Sequence, residues 1–196
     1  MKSKKKSQAI KNGIIVGMGT LLLSIIFNLG SQFLLEFLSS TVLKFVVLMI
    51  IILIGVFFDI VGVAAAAATE GPCHAQAATR KFGAKQAFKI VRNADRVSSF
   101  CNDMVGDICG ILSGALAAAI IFPLLVNTPE KMELVLSILL TAGVAGLTVG
   151  GKAAGKSMAI EHANDIVLRV GMLIAVVENT FGINIFGSGM KKGRKK

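Results

Sequence analysis

Four stretches of this chain, at about 13 to 29, 42 to 68, 98 to 126 and 134 to 151, stay mainly apolar over nearly the length a helix needs to cross a bilayer, roughly 20 residues. With 54% hydrophobic residues in a chain of 196, little polar sequence is left in which a separate soluble domain could fold. The expected class is an all-α integral membrane protein with four transmembrane helices. A fifth stretch, 158 to 186, is interrupted by Glu161, His162, Asn164, Asp165, Arg169 and Glu178. It reads as one amphipathic C-terminal helix, interfacial or buried, and not as a span.

Lysines and arginines set the orientation. The start, MKSKKKSQAIK, carries five, the segment from Arg80 to Arg96 six, and the end, KKGRKK, five. The outer connections hold only Lys44 and Lys131. The positive-inside rule therefore puts the three basic segments and both termini in the cytoplasm, as in a multi-pass plasma-membrane protein. Attraction to the anionic lipid bilayer accounts for the net charge of +10. Nucleic acid is not an expected partner, because no stacking aromatics lie among the lysines and the chain has no Trp or Tyr. The first span reads as an uncleaved anchor, since NLGSQFLLEFLSS after it offers no clear small-x-small site. Three segments follow: 1–41, the basic tail and first helix; 42–186, the main transmembrane domain; and 187–196, a basic tail.

Inside these apolar runs lie Asp59, Asp103 and Asp107. A carboxylate within a membrane is costly and points to function by default. If span two ends near Thr69 and span three begins at Ser98, a rise of 1.5 Å per residue puts Asp59 about 15 Å, Asp103 about 8 Å and Asp107 about 14 Å from the cytoplasmic edge. Asp103 and Asp107, four apart, are expected on one helix face. Asp59 and Asp107, on antiparallel helices at equal depth, are expected to face each other. With Asn102, Ser98 and Ser99 near the entrance, such oxygen donors suit a hard, partly hydrated cation such as magnesium. The competing reading is structural: a salt bridge from Lys152 to Asp103 or Asp107, with Lys152 about one turn inside the end of span four. Gly106, Gly110 and Gly114 form a small-residue stripe expected to let helices pack closely, and Gly62 with the alanine run leaves room beside Asp59.

Other motifs are weaker. Cys73-His74 lacks the further ligands of a zinc site, and three cysteines on or near the cytoplasmic side suggest no disulfide. The segment GGKAAGKS has the wrong glycine spacing for a phosphate loop. With no Ser-His-Asp order and no metalloprotease motif either, an enzyme is not expected. Pro123 and Pro129 are expected to stop helices, and Thr128 to cap the fourth span.

From Phe57 to about Met172 the chain resembles the transmembrane domain of the CNNM/CorB magnesium and cobalt transporters. Phe57-Phe58-Asp59 falls where that family has an aromatic pair followed by small polar residues. HAQAATRKFGAKQAFKIVRNADRV resembles its pair of short cytoplasmic helices, Gly106-Asp107 its Gly-Asn, and Gly151-Lys152 with Gly155-Lys156-Ser157 its Gly-Glu and following Pro-Lys-hydroxyl pattern. Two departures stand out: Asn has become Asp107, and Glu has become Lys152. The CBS domains that usually follow in the family are not in this sequence, so nucleotide regulation would need a separate cytoplasmic subunit. The resemblance implies a homodimer moving Mg2+, or Co2+, through an inward-facing acidic cavity. Asp59 and Asp107 would hold the ion and Asp103 would guide it, assisted by Asn102 and Ser99. The alternative is a non-transporting membrane scaffold or accessory subunit, in which Lys152 neutralises the aspartates.

Overall fold

The computed structural model describes residues 2–38, 40–79, 81–126 and 129–182, and among them all regular structure is helical. In chain order the elements are α1 (Lys2–Phe37), α2 (Thr41–Ala67), α3 (Glu70–Ala78), α4 (Ala84–Arg92), α5 (Ala94–Ser98), a π-helix (Ser99–Gly106), α6 (Asp107–Leu125), α7 (Glu130–Glu161) and α8 (Ala163–Phe181). Four segments are long and apolar enough to cross a membrane: Gly13–Gly30, Thr41–Ala67, Ala94–Leu125 and Lys131–Glu161. Each contains most or all of one expected span.

The chain forms two compact units. The first comprises the residues up to Ile60 with Ser99–Gly155, and the second Val61–Ser98 with the chain from Lys156 onward. In the first, Leu48 and Ile52 of α2 are buried with Leu112, Leu116, Ala117, Ile120, Ile121 and Leu125 of α6, and Leu136 and Val144 of α7 pack against them. The outward faces remain apolar, among them Leu53 and Phe57 on α2, Ile111 and Phe122 on α6, and Leu139, Leu147 and Val149 on α7. Helices apolar all round suit lipid and not water.

Glycines fix the crossings in this unit. A Cβ on Gly55 would stand 2.8 Å from Cys109 Cβ, so α2 and α6 meet almost backbone to backbone. On α7, Gly151 faces Val56 and Gly155 faces Ile60, where an added Cβ would meet side-chain carbons at 3.1 and 2.6 Å. Gly110 and Gly114 have no neighbour within 4 Å of such a Cβ. Only Gly106 of the expected stripe lies at a close contact, because the crossing with α2 is set by Gly55 and Cys109 instead.

The second unit packs α4 against α8 and α3. Ala84, Ala87, Ile90 and Val91 bury one face of α4 while Lys85 and Arg92 stay exposed, as its amphipathic spacing requires. Gly83, at φ 76°, lies against the Met172 backbone, and Gly171 against the Gly83 carbonyl and the Ala87 nitrogen. The Thr69 amide donates to Asn164 Oδ1 at 3.0 Å, and Gln86 Nε2 to Glu178 Oε2 at 2.9 Å.

Three expectations are corrected. The last apolar stretch is not one helix: α7 runs on to Glu161, His162 forms a turn, and α8 starts at Ala163. Lys152 therefore lies not one turn but nine residues before the end of its helix. Pro123 does not stop α6, which continues to Leu125; the proline removes one bond of the ladder, and burial of Ile121 and Leu125 holds the last turn. Pro129 does stand at a helix start, its carbonyl accepting from Met132 and Glu133. Thr128 and the tail 187–196 lie outside the described residues.

Candidate cation site

Asp59 sits four residues after Gly55 on α2, Asp107 two residues before Cys109, and Lys152 between Gly151 and Gly155 on α7. The close glycine contacts thus bring the three charged side chains together within the first unit. Lys152 Nζ lies 3.5 Å from Asp107 Oδ1 and 3.9 Å from Asp59 Oδ1, and it donates a hydrogen bond to the Gly106 carbonyl at 3.0 Å. Two carboxylates and a backbone oxygen therefore surround one cationic nitrogen. The expected meeting of Asp59 with Asp107 occurs, and an ammonium group stands where they meet.

Gly106 makes the arrangement compact. A Cβ there would be 3.1 Å from the Cys101 carbonyl, 3.5 Å from Asp59 Oδ1 and 3.6 Å from Lys152 Nζ. The residue also marks the junction at which the π-helix gives way to α6. Where bonding changes from five-residue to four-residue spacing, the backbone ladder is interrupted, and such π segments occur often at functional sites. The Gly106 carbonyl at this interruption takes its bond from Lys152.

Asp103 and Asp107 take different partners. Asp103 lies within the π segment, and Asp107 opens α6. Asp103 is exposed and accepts the Ser99 hydroxyl at 2.6 Å, while Asp107 faces Lys152. Lys152 thus pairs with Asp107 and Asp59, not with Asp103. Asn102 is partly buried on the π-helix.

The members differ in exposure. The Asp59 side chain is 17% exposed and that of Asp107 64%. Asp107 is thus the more accessible of the two carboxylates and Asp59 the more enclosed. The formal charges leave one negative in excess, two carboxylates against one ammonium. Among the described residues, no group of three or more His, Cys, Asp and Glu side chains is placed to hold a metal ion. Any cation here would depend on the two carboxylates, the Gly106 carbonyl and retained water.

Sequence reasoning missed the Gly106 carbonyl, and it named Asp103 or Asp107 but not Asp59 as the salt-bridge partner of Lys152. The signal available was the glycine preceding each of Asp107 and Lys152, which allows close approach on the charged side. Nothing in SSFCNDMVG announces π winding. No family model matches this chain, and no curated protein matches it.

Proposed function

We propose that this protein moves a divalent cation, magnesium being the foremost candidate, across a membrane through the cluster of Asp59, Asp107 and the Gly106 carbonyl. The observation that supports this reading is the convergence of three oxygens, from two helices and a helix junction, on a single cationic centre. An ammonium seated at 3.0 to 3.9 Å marks a place where positive charge is stabilised. A magnesium ion that keeps part of its water shell would use the same oxygens directly or through those waters. Asp103 with Ser99 would gather the ion at the exposed mouth, with Asn102 assisting from the π-helix. The metal, the homodimer and any cytoplasmic regulatory subunit come from the resemblance to the CNNM/CorB transporters. The cytoplasmic termini come from the lysine and arginine distribution, and a plasma-membrane location accords with both.

The test is magnesium flux in liposomes containing only the purified chain. Flux that is absent at every gradient and voltage, from protein that is folded and inserted, would remove the transport reading. A second reading draws on the same ion pairs: a non-transporting scaffold in which Lys152 neutralises both aspartates. It expects no flux, and it expects the double exchange of Asp107→Lys with Lys152→Asp to restore folding lost in either single change.

A further inference from the structure

Lys152 has a position that neither simple reading uses fully. Charge neutralisation alone would not call for the backbone contact, yet its ammonium reaches Asp59, Asp107 and the Gly106 carbonyl at once. Those are all three of the oxygens a bound cation would take. Of the two carboxylates that the ammonium holds, Asp59 is the better buried and Asp107 the more exposed.

We propose that Lys152 is a tethered competitor for the transported cation: its ammonium fills the Asp59–Asp107–Gly106 site when no ion is bound, and a divalent ion must displace it to enter. This rests on the cation-transport reading. Charge balance supports the exchange. With the ammonium in place, adding a divalent ion to two carboxylates leaves the cluster one positive in excess; with it withdrawn, the cluster is neutral, which is far less costly away from water. Displacement also breaks the Lys152–Gly106 hydrogen bond, so loading changes the contact between α7 and the π–α6 junction. The tether costs affinity, because the apparent dissociation constant equals the intrinsic one divided by the fraction of molecules with the site open. An ammonium seated about nine-tenths of the time weakens binding roughly tenfold on that relation.

The test uses the full chain, purified in detergent or nanodiscs, with manganous ion as a divalent probe read by electron paramagnetic resonance. Lys152→Met is expected to bind it on the order of tenfold more tightly than the natural protein. Lys152→Gln keeps a donor for the Gly106 carbonyl while removing the charge, and is expected to do the same. This second variant holds the test open if the methionine protein misfolds. Lys152→Arg, which keeps the charge, is expected to stay near the natural affinity. Binding that is unchanged or weakened in a folded Lys152→Gln protein, while Asp59→Asn with Asp107→Asn abolishes it, would overturn the competitor role and leave the cation site standing. Binding by the natural chain that survives loss of both aspartates would overturn the site and the competitor together.

Discussion

Gly55 and Cys109 approach so closely that a Cβ on the glycine would stand 2.8 Å from that of the cysteine. This contact lies one helical turn from Asp59 and half a turn from Asp107, so it governs whether the two carboxylates reach the same ammonium. Gly55→Ala is expected to cost about 1–3 kcal/mol through overpacking, read as a lowered midpoint in thermal or denaturant unfolding. Cys109→Gly in the same chain should recover most of that loss. An unchanged midpoint in the single variant would mean the two helices are not held at this spacing.

Asp107→Asn removes the carboxylate nearest to Lys152 and the more accessible of the two. Transport should fall by an order of magnitude or more, because a divalent ion would then find one carboxylate where it had two. Asp103→Asn should do less, because Asp103 is exposed and engaged with Ser99. Flux assays on both variants, at matched protein levels, give the ranking; equal rates for Asp107→Asn and the natural chain would exclude the site.

Gly171→Ala addresses the second unit alone. Its Cβ would fall 2.6 Å from the Gly83 carbonyl and 2.7 Å from the Ala87 nitrogen, backbone atoms that cannot turn aside. The expected loss is about 1–3 kcal/mol, the usual range for overpacking. Limited proteolysis should then cut the α3–α4 region sooner than in the natural protein. Equal cutting rates would show that α4 and α8 do not meet at this glycine.

Cys73 lies outside the spans on α3 and is 2% exposed. Burial raises its thiol pKa above the ordinary 9.0, since a thiolate is poorly solvated there. Alkylation should therefore be slow at pH 8 and become fast on unfolding. The sign of the linkage follows. Below pH 9.0 the stability that goes with the protonated thiol is fully present, and it is lost as pH rises through the higher folded value. Alkylation in the folded chain as fast as in denaturant would contradict this burial.

The spans were legible because hydrophobic length alone demands them, whatever their neighbours. Local breaks were not. The turn at His162 interrupts a stretch that hydropathy joins, and α6 passes Pro123 because Ile121 and Leu125 hold it by packing. At the site, the meeting of Asp59 with Asp107 followed from antiparallel helices and equal depth. The choice of Asp107 over Asp103 as a partner of Lys152 did not, because residue types and spacing left the two equally open to it. Gly110 and Gly114 carried the motif of a tight crossing, yet Gly55, which has no such pattern, makes it. Which glycine serves as the contact depends on how each helix is rotated about its axis, and that is fixed only once the partners are present.

The length of α7 brings the host membrane itself into the account. Its 32 residues span about 48 Å at helical rise, against a hydrocarbon thickness of about 30 Å. Such a rod must tilt, protrude or thicken the lipid around it. Lys152 sits far enough along α7 that each accommodation moves its ammonium to a different level relative to the headgroups. Thicker or thinner lipid would therefore change the solvation of that ammonium without altering a single residue, and acyl-chain length belongs among the variables that tune this protein.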